Sequence, residues 1–276
     1  MLKTIETNTA AMLIHSMKQH LMLCHSSIKN VQANETLSAA GFSNLQTAKL
    51  SMFHINRLTN TFEYLFAQED SKGDFQLESF DVDSLLSDLV AGLNRRILSF
   101  LPVSLYYRQK KISPSVIQIN RTQFELSIFN ILYCIIKVNS ENLLHHVKVT
   151  VYLSSTKNNF VIHIRDNGKH PDKRILKPIL DKDFDLQSIG GIQESIVETG
   201  LVIAQKAVAM HGGKIEYEEL ITGNRFDIIF PKKILTSDLV SHLDVRSVSM
   251  YRLNDSLAFE TFSDLLIAAD AGRREE

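Results

Sequence analysis

The sequence contains no tryptophan, only two cysteines, and no excess of charge of either sign. Cys24 and Cys134 are far apart and neither belongs to a Cys-x-x-Cys pair, so neither a disulfide framework nor a zinc site is indicated, and we predict no metal site. The 30 Lys and Arg residues nearly balance the 31 Asp and Glu residues, and no segment is rich in basic residues. The chain therefore lacks the electrostatic signature of a nucleic-acid-binding protein.

Long hydrophobic runs are also absent. The most apolar stretch, Phe129–Val138, is interrupted by Asn130 and Lys137 and is far shorter than the roughly 20 residues that a membrane-spanning helix needs. The apolar residues near the N-terminus are broken by His15 and Lys18, so no signal-peptide core is visible. We therefore predict a cytoplasmic protein that has no membrane partner.

The first 70 residues predict a helical hairpin. Apolar side chains recur at steps of three and four and form one seam on each of two helices, with Asn34–Asn44 as the connection. The seams consist of Leu13, Met17, Leu21, Cys24, Ile28 and Val31, followed by Leu45, Ala48, Met52, Ile55, Phe62 and Phe66. Two helices bury little surface, so we predict a homodimer in which two hairpins form a four-helix bundle. Packing of the hairpin against the second half of its own chain is the alternative.

A mixed domain is predicted after the polar linker Ser71–Asp74, which gives domains at 1–70, 75–231 and 232–276. Two pairs of strands alternate with helices, and a long loop precedes the last helix and a closing hairpin that turns at Gly223-Asn224. This order predicts an α+β sandwich with one helical layer over a mixed sheet. The helices are predicted at Val82–Phe100, Gln123–Val138 and Thr199–Met210, and the strands at Val103–Tyr107, Val116–Ile119, Val147–Leu153, Phe160–Ile164, Lys214–Tyr217 and Arg225–Phe230. The C-terminal extension has helical spacing at Ser237–Leu243 and Leu257–Ala269.

Short motifs in the mixed domain resemble those of one known family. They are Asn130-Ile131-Leu132 on the apolar helix, Asp166-Asn167-Gly168 after a strand, Phe184, and Glu198-Thr199-Gly200-Leu201 leading to His211-Gly212-Gly213. In this order they resemble the asparagine box, the first glycine box, the lid phenylalanine and the second glycine box of sensor histidine kinases. The resemblance covers about residue 10 to residue 231. It implies a dimerisation and phosphotransfer hairpin joined to a Bergerat-type ATPase domain.

The resemblance also implies roles for four residues, which we interpret as a vestigial nucleotide site. Asp166 would accept a hydrogen bond from the adenine amino group, Gly168 and Gly200 would let the backbone approach phosphates, and Asn130 would belong to the asparagine box. Alternatively, Asp166 only caps the turn after its strand.

Three departures from the family pattern indicate that this nucleotide site is degenerate. Cys134 stands where the family has its magnesium-binding asparagine, and a thiol is a poor ligand for Mg²⁺. Glu198 replaces a glycine beside the expected triphosphate, where its charge would repel the nucleotide. His170 replaces the next glycine of the first box. We therefore expect no cofactor, and ATP with Mg²⁺ only if the protein is an active kinase.

His15 is the candidate phosphoacceptor. In the family, seam residues follow the phosphorylated histidine at two, six, nine and thirteen positions, and from His15 these positions are all apolar, whereas His20 and His25 place polar residues there. Gln19, four residues after His15, occupies a position where amide or hydroxyl side chains can orient a water for dephosphorylation. Ser16 stands where active kinases carry an acid that assists attack on ATP. The alternative is that His15 is an ordinary surface histidine.

Together these features favour a phosphorelay protein, either a histidine phosphotransferase or a pseudokinase, that exchanges phosphoryl groups with response-regulator receiver domains through His15. An upstream kinase is a possible further partner. An active ATP-dependent histidine kinase and a non-catalytic adaptor that binds a kinase or regulator are the alternatives.

Overall fold

The computed structural model contains two compact units, Met1–Asp74 with Glu260–Glu276, and Phe75–Phe259. It describes residues 2–34, 36–38, 40–45, 47–49, 51–52, 55–56, 59, 77–109, 116–140, 146–180, 196–232, 257–258, 261–263 and 265–266. The predicted linker, Phe184 and the predicted helix at Ser237–Leu243 lie outside these residues.

The first unit begins with α1, Leu2–Asn34. A second helical segment follows, described at 40–45, 47–49, 51–52, 55–56 and 59. Burial lowers the pKa of His25, and the positive charges of Lys29 and Lys49 lower it further. Because Lys49 belongs to the second segment, that segment approaches α1 near His25.

The connection between these helices is shorter than predicted. The sequence was interpreted as non-helical from Asn34 to Asn44, but residues 40–44 are already helical. The reason is a capping interaction, because the Ser38 hydroxyl accepts a hydrogen bond from the Gly41 N–H at 3.1 Å. Serine at this position satisfies an N–H that the first helical turn leaves unpaired.

The second unit is an α+β sandwich, as predicted. Its five-stranded sheet has the order β2-β4-β5-β7-β6, with β2 and β4 parallel and the other neighbours antiparallel. These strands are β2 Val103–Arg108, β4 Val147–Ser155, β5 Asn159–Asp166, β6 Lys214–Glu219 and β7 Asn224–Pro231. A separate two-stranded sheet pairs β1, Glu78–Asp81, with β3, Val116–Ile119.

Helices cover one face of the five-stranded sheet. They are α2 Val82–Arg96, α3 Arg121–Ser140, α4 Lys173–Leu180 and α5 Ile196–Met210, and a short 3₁₀ turn, Leu98–Phe100, follows α2. α3 packs along α5, which also contacts β6 and β7, and α2 contacts β2. The strands alternate buried and exposed residues, so their apolar side chains meet the helices while the other face stays polar.

Local capping explains where α2 begins. The Asp81 side chain accepts a hydrogen bond from the Ser84 N–H at 2.8 Å, which is the N-cap interaction that aspartate favours. Further along, Asn94 donates from Nδ2 to the Leu105 carbonyl at 2.6 Å, which ties α2 to β2.

Two elements were not predicted. The region between β5 and α5 was interpreted as a long loop, but it contains α4, in which Pro178 lies within the helix. β1 was also missed, since it has only four residues and a single buried side chain, Phe80. Both are short elements that depend on tertiary contacts, because β1 pairs with β3 and α4 packs against α5.

Candidate functional site

Asp166 lies at the end of β5 and is the centre of a buried polar network. Its Oδ1 accepts hydrogen bonds from the Gly168 N–H at 2.7 Å and from Asn224 Nδ2 at 3.0 Å. The residue is only 2% exposed. Among the residues that the structure describes, none donates a hydrogen bond to its buried Oδ2. A buried carboxylate oxygen without a donor is costly, so this atom is suited to accept an N–H from a ligand.

Burial dominates the electrostatics of Asp166. Desolvation raises the pKa of its carboxyl, and the hydrogen bonds from Gly168 and Asn224 and the nearby His170 lower it only in part. Burial therefore disfavours the charged form of Asp166, and pKa shifts of this kind are common at functional sites.

Asn224 is the residue of this network that the sequence did not reveal. It is 1% exposed, and its Nδ2 also donates to the Lys169 carbonyl at 2.8 Å. Its Oδ1 accepts from the Tyr217 hydroxyl at 2.8 Å and lies 3.0 Å from His170 Nδ1. Because an amide oxygen only accepts, His170 Nδ1 carries the proton. No sequence pattern predicts this role, because an asparagine after glycine is also an ordinary hairpin-turn residue.

Two glycines allow the backbone to close around Asp166. A Cβ on Gly168 would overlap the side chain of Asn139, whose Oδ1 accepts from the Lys169 N–H at 2.8 Å. Gly223 has a φ of +79°, and a Cβ there would overlap the backbone carbonyl of Asp166. Because Gly223 has no Cβ, it adopts this φ and avoids the overlap, and the β6–β7 turn therefore packs directly on the end of β5.

The residues expected on the metal and phosphate side lie on helices α3 and α5. Asn130 is buried in α3, and its Nδ2 donates to the Leu126 carbonyl of the same helix at 2.9 Å. Cys134 is fully buried in α3 and is not part of a disulfide. Gly200 is buried near the start of α5. Glu198 lies in the first turn of α5.

His211 is structural. Its Nδ1 donates to the Ala207 carbonyl at 2.8 Å, and its Nε2 accepts from the Asn120 N–H at 3.0 Å. The buried imidazole therefore joins the end of α5 to the start of α3, which gives this motif histidine a structural role.

In the other unit, α1 presents His15 and Gln19 on its exposed surface. Gln19 Nε2 lies 3.1 Å from His15 Nε2. Since the amide nitrogen can only donate, His15 Nε2 is the unprotonated acceptor and Nδ1 holds the proton. The arrangement thus provides an accessible imidazole with its lone pair on the nitrogen that faces Gln19.

The Asp166 site suits the base end of a nucleotide better than the metal end. The unpartnered Oδ2 of Asp166 can accept a hydrogen bond from an amino group of a ligand. A buried thiol at position 134 does not fit Mg²⁺, which takes oxygen ligands. Among the described residues, no group of three His, Cys, Asp or Glu side chains is arranged to hold a metal ion.

Comparison with known families identifies this part of the chain. A family model described as "Histidine kinase-, DNA gyrase B-, and HSP90-like ATPase" matches residues 120–234. The matched segment begins just before α3, continues through β7 and contains the whole Asp166 network. Residues 120–234 form a histidine-kinase-like ATPase domain. The predicted histidine-kinase-like ATPase core is thereby confirmed, whereas the proposed degeneracy remains a prediction.

Relatives with curated names extend the similarity beyond the histidine-kinase-like ATPase domain. Two signal transduction histidine-protein kinases named ArlS, from two strains of Staphylococcus epidermidis, are 26% and 27% identical to this chain over 190 residues. The match covers 67% of this chain and 40% of each relative. The chain therefore spans less than half the length of these relatives.

Solved structures share the fold. The full-length ShkA complex with AMPPNP has a TM-score of 0.58 at 18% identity, covering 81% of this chain and 45% of ShkA. Histidine kinase ThkA in complex with response regulator protein TrrA has a TM-score of 0.54 at 13% identity, covering 82% of this chain and 61% of ThkA. Histidine kinase AdeS of Acinetobacter baumannii has a TM-score of 0.50 at 13% identity, covering 79% and 97%. These similarities show the α+β fold.

Among the described helices, none is long and apolar enough to cross a bilayer.

Proposed function

We propose that this chain is a two-component phosphorelay protein in which His15 exchanges phosphoryl groups with the phosphorylated aspartate of a response-regulator receiver domain. The observation that carries the proposal is the exposed His15–Gln19 pair, in which Gln19 Nε2 lies 3.1 Å from His15 Nε2. The relationship to histidine kinases supports it, and the complex of ThkA with a response regulator provides a precedent for the partner.

The proposed transfer needs a free imidazole lone pair. Gln19 turns away, and His15 Nε2 attacks the phosphorus of the aspartyl phosphate in line. The new N–P bond forms as the P–O bond to the aspartate breaks, and the carboxylate leaves. In a separate phosphatase reaction, the Gln19 amide would orient a water molecule for dephosphorylation. Gln19 is therefore proposed as a positioning residue and His15 as the catalytic residue.

In this proposal the histidine-kinase-like ATPase domain acts as a docking scaffold and requires no ATP. The buried Cys134 thiol supports this role, because it stands at the position where the family places its Mg²⁺ ligand. Neither cysteine is part of a disulfide, which agrees with the reducing cytoplasm as the proposed location.

A homodimer is part of the proposal. Several apolar side chains of the hairpin are exposed in the single chain, including Met17 at 44% and Val31 at 37% on the predicted seam. A second copy would cover this seam and form the predicted four-helix bundle.

One observation favours a second candidate, an active histidine kinase. The unpartnered Oδ2 of Asp166 is the feature that an adenine amino group would satisfy. Under this alternative, His15 would become labelled when the protein is incubated with Mg-ATP alone.

A transfer assay tests the leading proposal. Receiver domains from the same genome, each phosphorylated with acetyl phosphate, are mixed with the chain without nucleotide, and phosphohistidine is located by mass spectrometry. We expect labelling of His15 that is lost in His15→Gln and retained in the control His20→Gln, which changes another exposed histidine of α1. If no receiver in the set transfers its phosphoryl group to His15, the proposal is wrong. A biological effect that survives the His15→Gln substitution would support the adaptor alternative.

A further inference from the structure

A serine, a histidine and an aspartate form a linear hydrogen-bonded chain on the polar face of the sheet. Ser154 Oγ lies 2.7 Å from His163 Nε2. His163 Nδ1 lies 2.6 Å from Asp227 Oδ1. Because the Asp227 carboxylate only accepts, Nδ1 of the neutral imidazole is the donor and Nε2 accepts the Ser154 hydroxyl proton.

The sheet register explains this geometry. His163 pairs with Asp227 across β5 and β7. The Lys232 N–H donates to the Asn158 carbonyl at 2.7 Å, so these two residues form a hydrogen-bonded pair. Hydrogen-bonded and non-hydrogen-bonded pairs alternate along antiparallel strands, so His163 and Asp227 form a non-hydrogen-bonded pair, in which side chains approach most closely. On the other side, His163 pairs with Tyr152, so Ser154 lies two residues further along β4 on the same face.

Neighbouring side chains hold the His163 ring and the Asp227 carboxylate in place. The imidazole of His163 stacks on the Tyr152 ring with the centroids 4.4 Å apart and the planes 18° apart. Arg225 Nε lies 3.2 Å from Asp227 Oδ2, and the Arg225 guanidinium also pairs with Glu218 at 2.5 Å. The side chains of His163 and Asp227 are 15% and 13% exposed, so the site is partly shielded and still accessible.

We propose that Ser154, His163 and Asp227 form an acyl-transfer site that hydrolyses small activated carboxylic esters. A catalytic triad consists of a nucleophile, a base that takes its proton and a carboxylate that orients the base. It is recognised by this geometry on unrelated folds. This proposal is independent of the phosphorelay function, since it uses none of the residues assigned there.

The proposed reaction has two balanced steps. First, Ser154 Oγ bonds to the acyl carbon, its proton passes to His163 Nε2, and the alcohol leaves with that proton. Then a water molecule gives a proton to His163 and its oxygen bonds to the acyl carbon, and Ser154 Oγ leaves and regains the proton. The products are a carboxylic acid and an alcohol, and no further reactant is needed.

We assign the support of the oxyanion to the backbone N–H of Ser155. The Thr156 N–H donates to the Asn159 carbonyl across the turn at 2.9 Å, so by alternation along the strand the Ser155 N–H faces away from β5. The described pairing of β2 with β4 ends with Arg108 opposite Tyr152, and Ser155 lies beyond this point. In other serine hydrolases, too, the residue after the nucleophile supplies such a donor. The open face favours small esters with good leaving groups.

The test is covalent labelling of the full chain with a fluorophosphonate probe, with the modified residue located by mass spectrometry. We expect labelling at Ser154, abolished in Ser154→Ala and slowed about 100-fold in His163→Gln, the size of effect typical of a general base. Hydrolysis of p-nitrophenyl acetate should fall in the same variants, whose fold is checked by circular dichroism.

Ser104 provides the control. Ser104→Ala removes the hydroxyl that lies 2.6 Å from His146 Nε2 in an exposed pair. This variant should label like the parent chain. The proposal fails if the folded parent chain is not modified at Ser154, or if Ser154 is labelled equally fast in His163→Gln.

Discussion

Asp166 shows how a single residue of the candidate site affects the stability of its domain. Its position after a strand and before Gly168 was predicted from the sequence motif, and the structure brings the two residues together through a hydrogen bond. Its partner Asn224 could not be predicted, because the contact joins positions 58 residues apart and depends on how closely the β6–β7 turn approaches β5. Motif reasoning thus found the acceptor but missed the donor that orients it.

Replacing the Asp166 carboxyl by an amide should stabilise the domain at neutral pH. Burial raises the pKa of Asp166 in the folded state above its usual value of 3.8. The protonated carboxyl of Asp166 therefore contributes its full stabilisation below pH 3.8, and this contribution is lost as the pH rises through the folded-state pKa. Asp166→Asn avoids that loss, and we expect urea denaturation at pH 7 to show a gain of about 1 kcal/mol, typical of relieving a functional-site charge.

Asp172→Asn is the matched control for this prediction. Asp172 lies in the loop that follows Asp166 and is exposed, and hydrogen bonds from Arg174 lower the pKa of its carboxyl. This variant should show no gain at pH 7. A lower urea midpoint for Asp166→Asn than for the parent chain would show that the carboxylate is instead required by the fold.

The long amphipathic or strongly apolar elements were predictable, and the short ones were not. β3 was predicted with its observed limits, and α3 and β4 were predicted to within two residues at each end. α4 was missed because Pro178 indicates a loop, although a proline late in a short helix sacrifices only one internal hydrogen bond. Local sequence carries the signal for the first group, whereas tertiary packing decides the second.

The β6–β7 turn should be intolerant of any side chain at Gly223. Gly223→Ala meets both an unfavourable positive φ and an overlap with the Asp166 carbonyl, so we expect a loss of about 2 kcal/mol or more in the free energy of unfolding. Gly212→Ala is the control, because Gly212 has a similar φ of +73° but a Cβ there would meet only Pro231 at an ordinary 3.6 Å. Equal losses in the two variants would mean that the close approach to Asp166 has no energetic effect.

At the scale of the whole molecule, the predicted homodimer depends on the α1 seam. Cys24 is an exposed residue of that seam, so Cys24→Glu places a charge in the proposed interface and should shift the protein to monomers in light scattering after size-exclusion chromatography. Met22→Glu alters a residue that is 72% exposed and lies off the seam, and it should leave the dimer intact. A monomeric parent chain would contradict the prediction, as would dissociation by Met22→Glu alone.

The central claim is that phosphoryl transfer through His15 proceeds without Mg-ATP bound to this chain. The most direct measurement is a calorimetric titration of the folded protein with ATP, with and without Mg²⁺, beside an active histidine kinase domain as positive control. We predict no magnesium-dependent binding in the micromolar range, because the thiol of Cys134 cannot replace an oxygen ligand. Magnesium-dependent micromolar binding would contradict the claim and favour an active kinase that uses Asp166 to recognise the base.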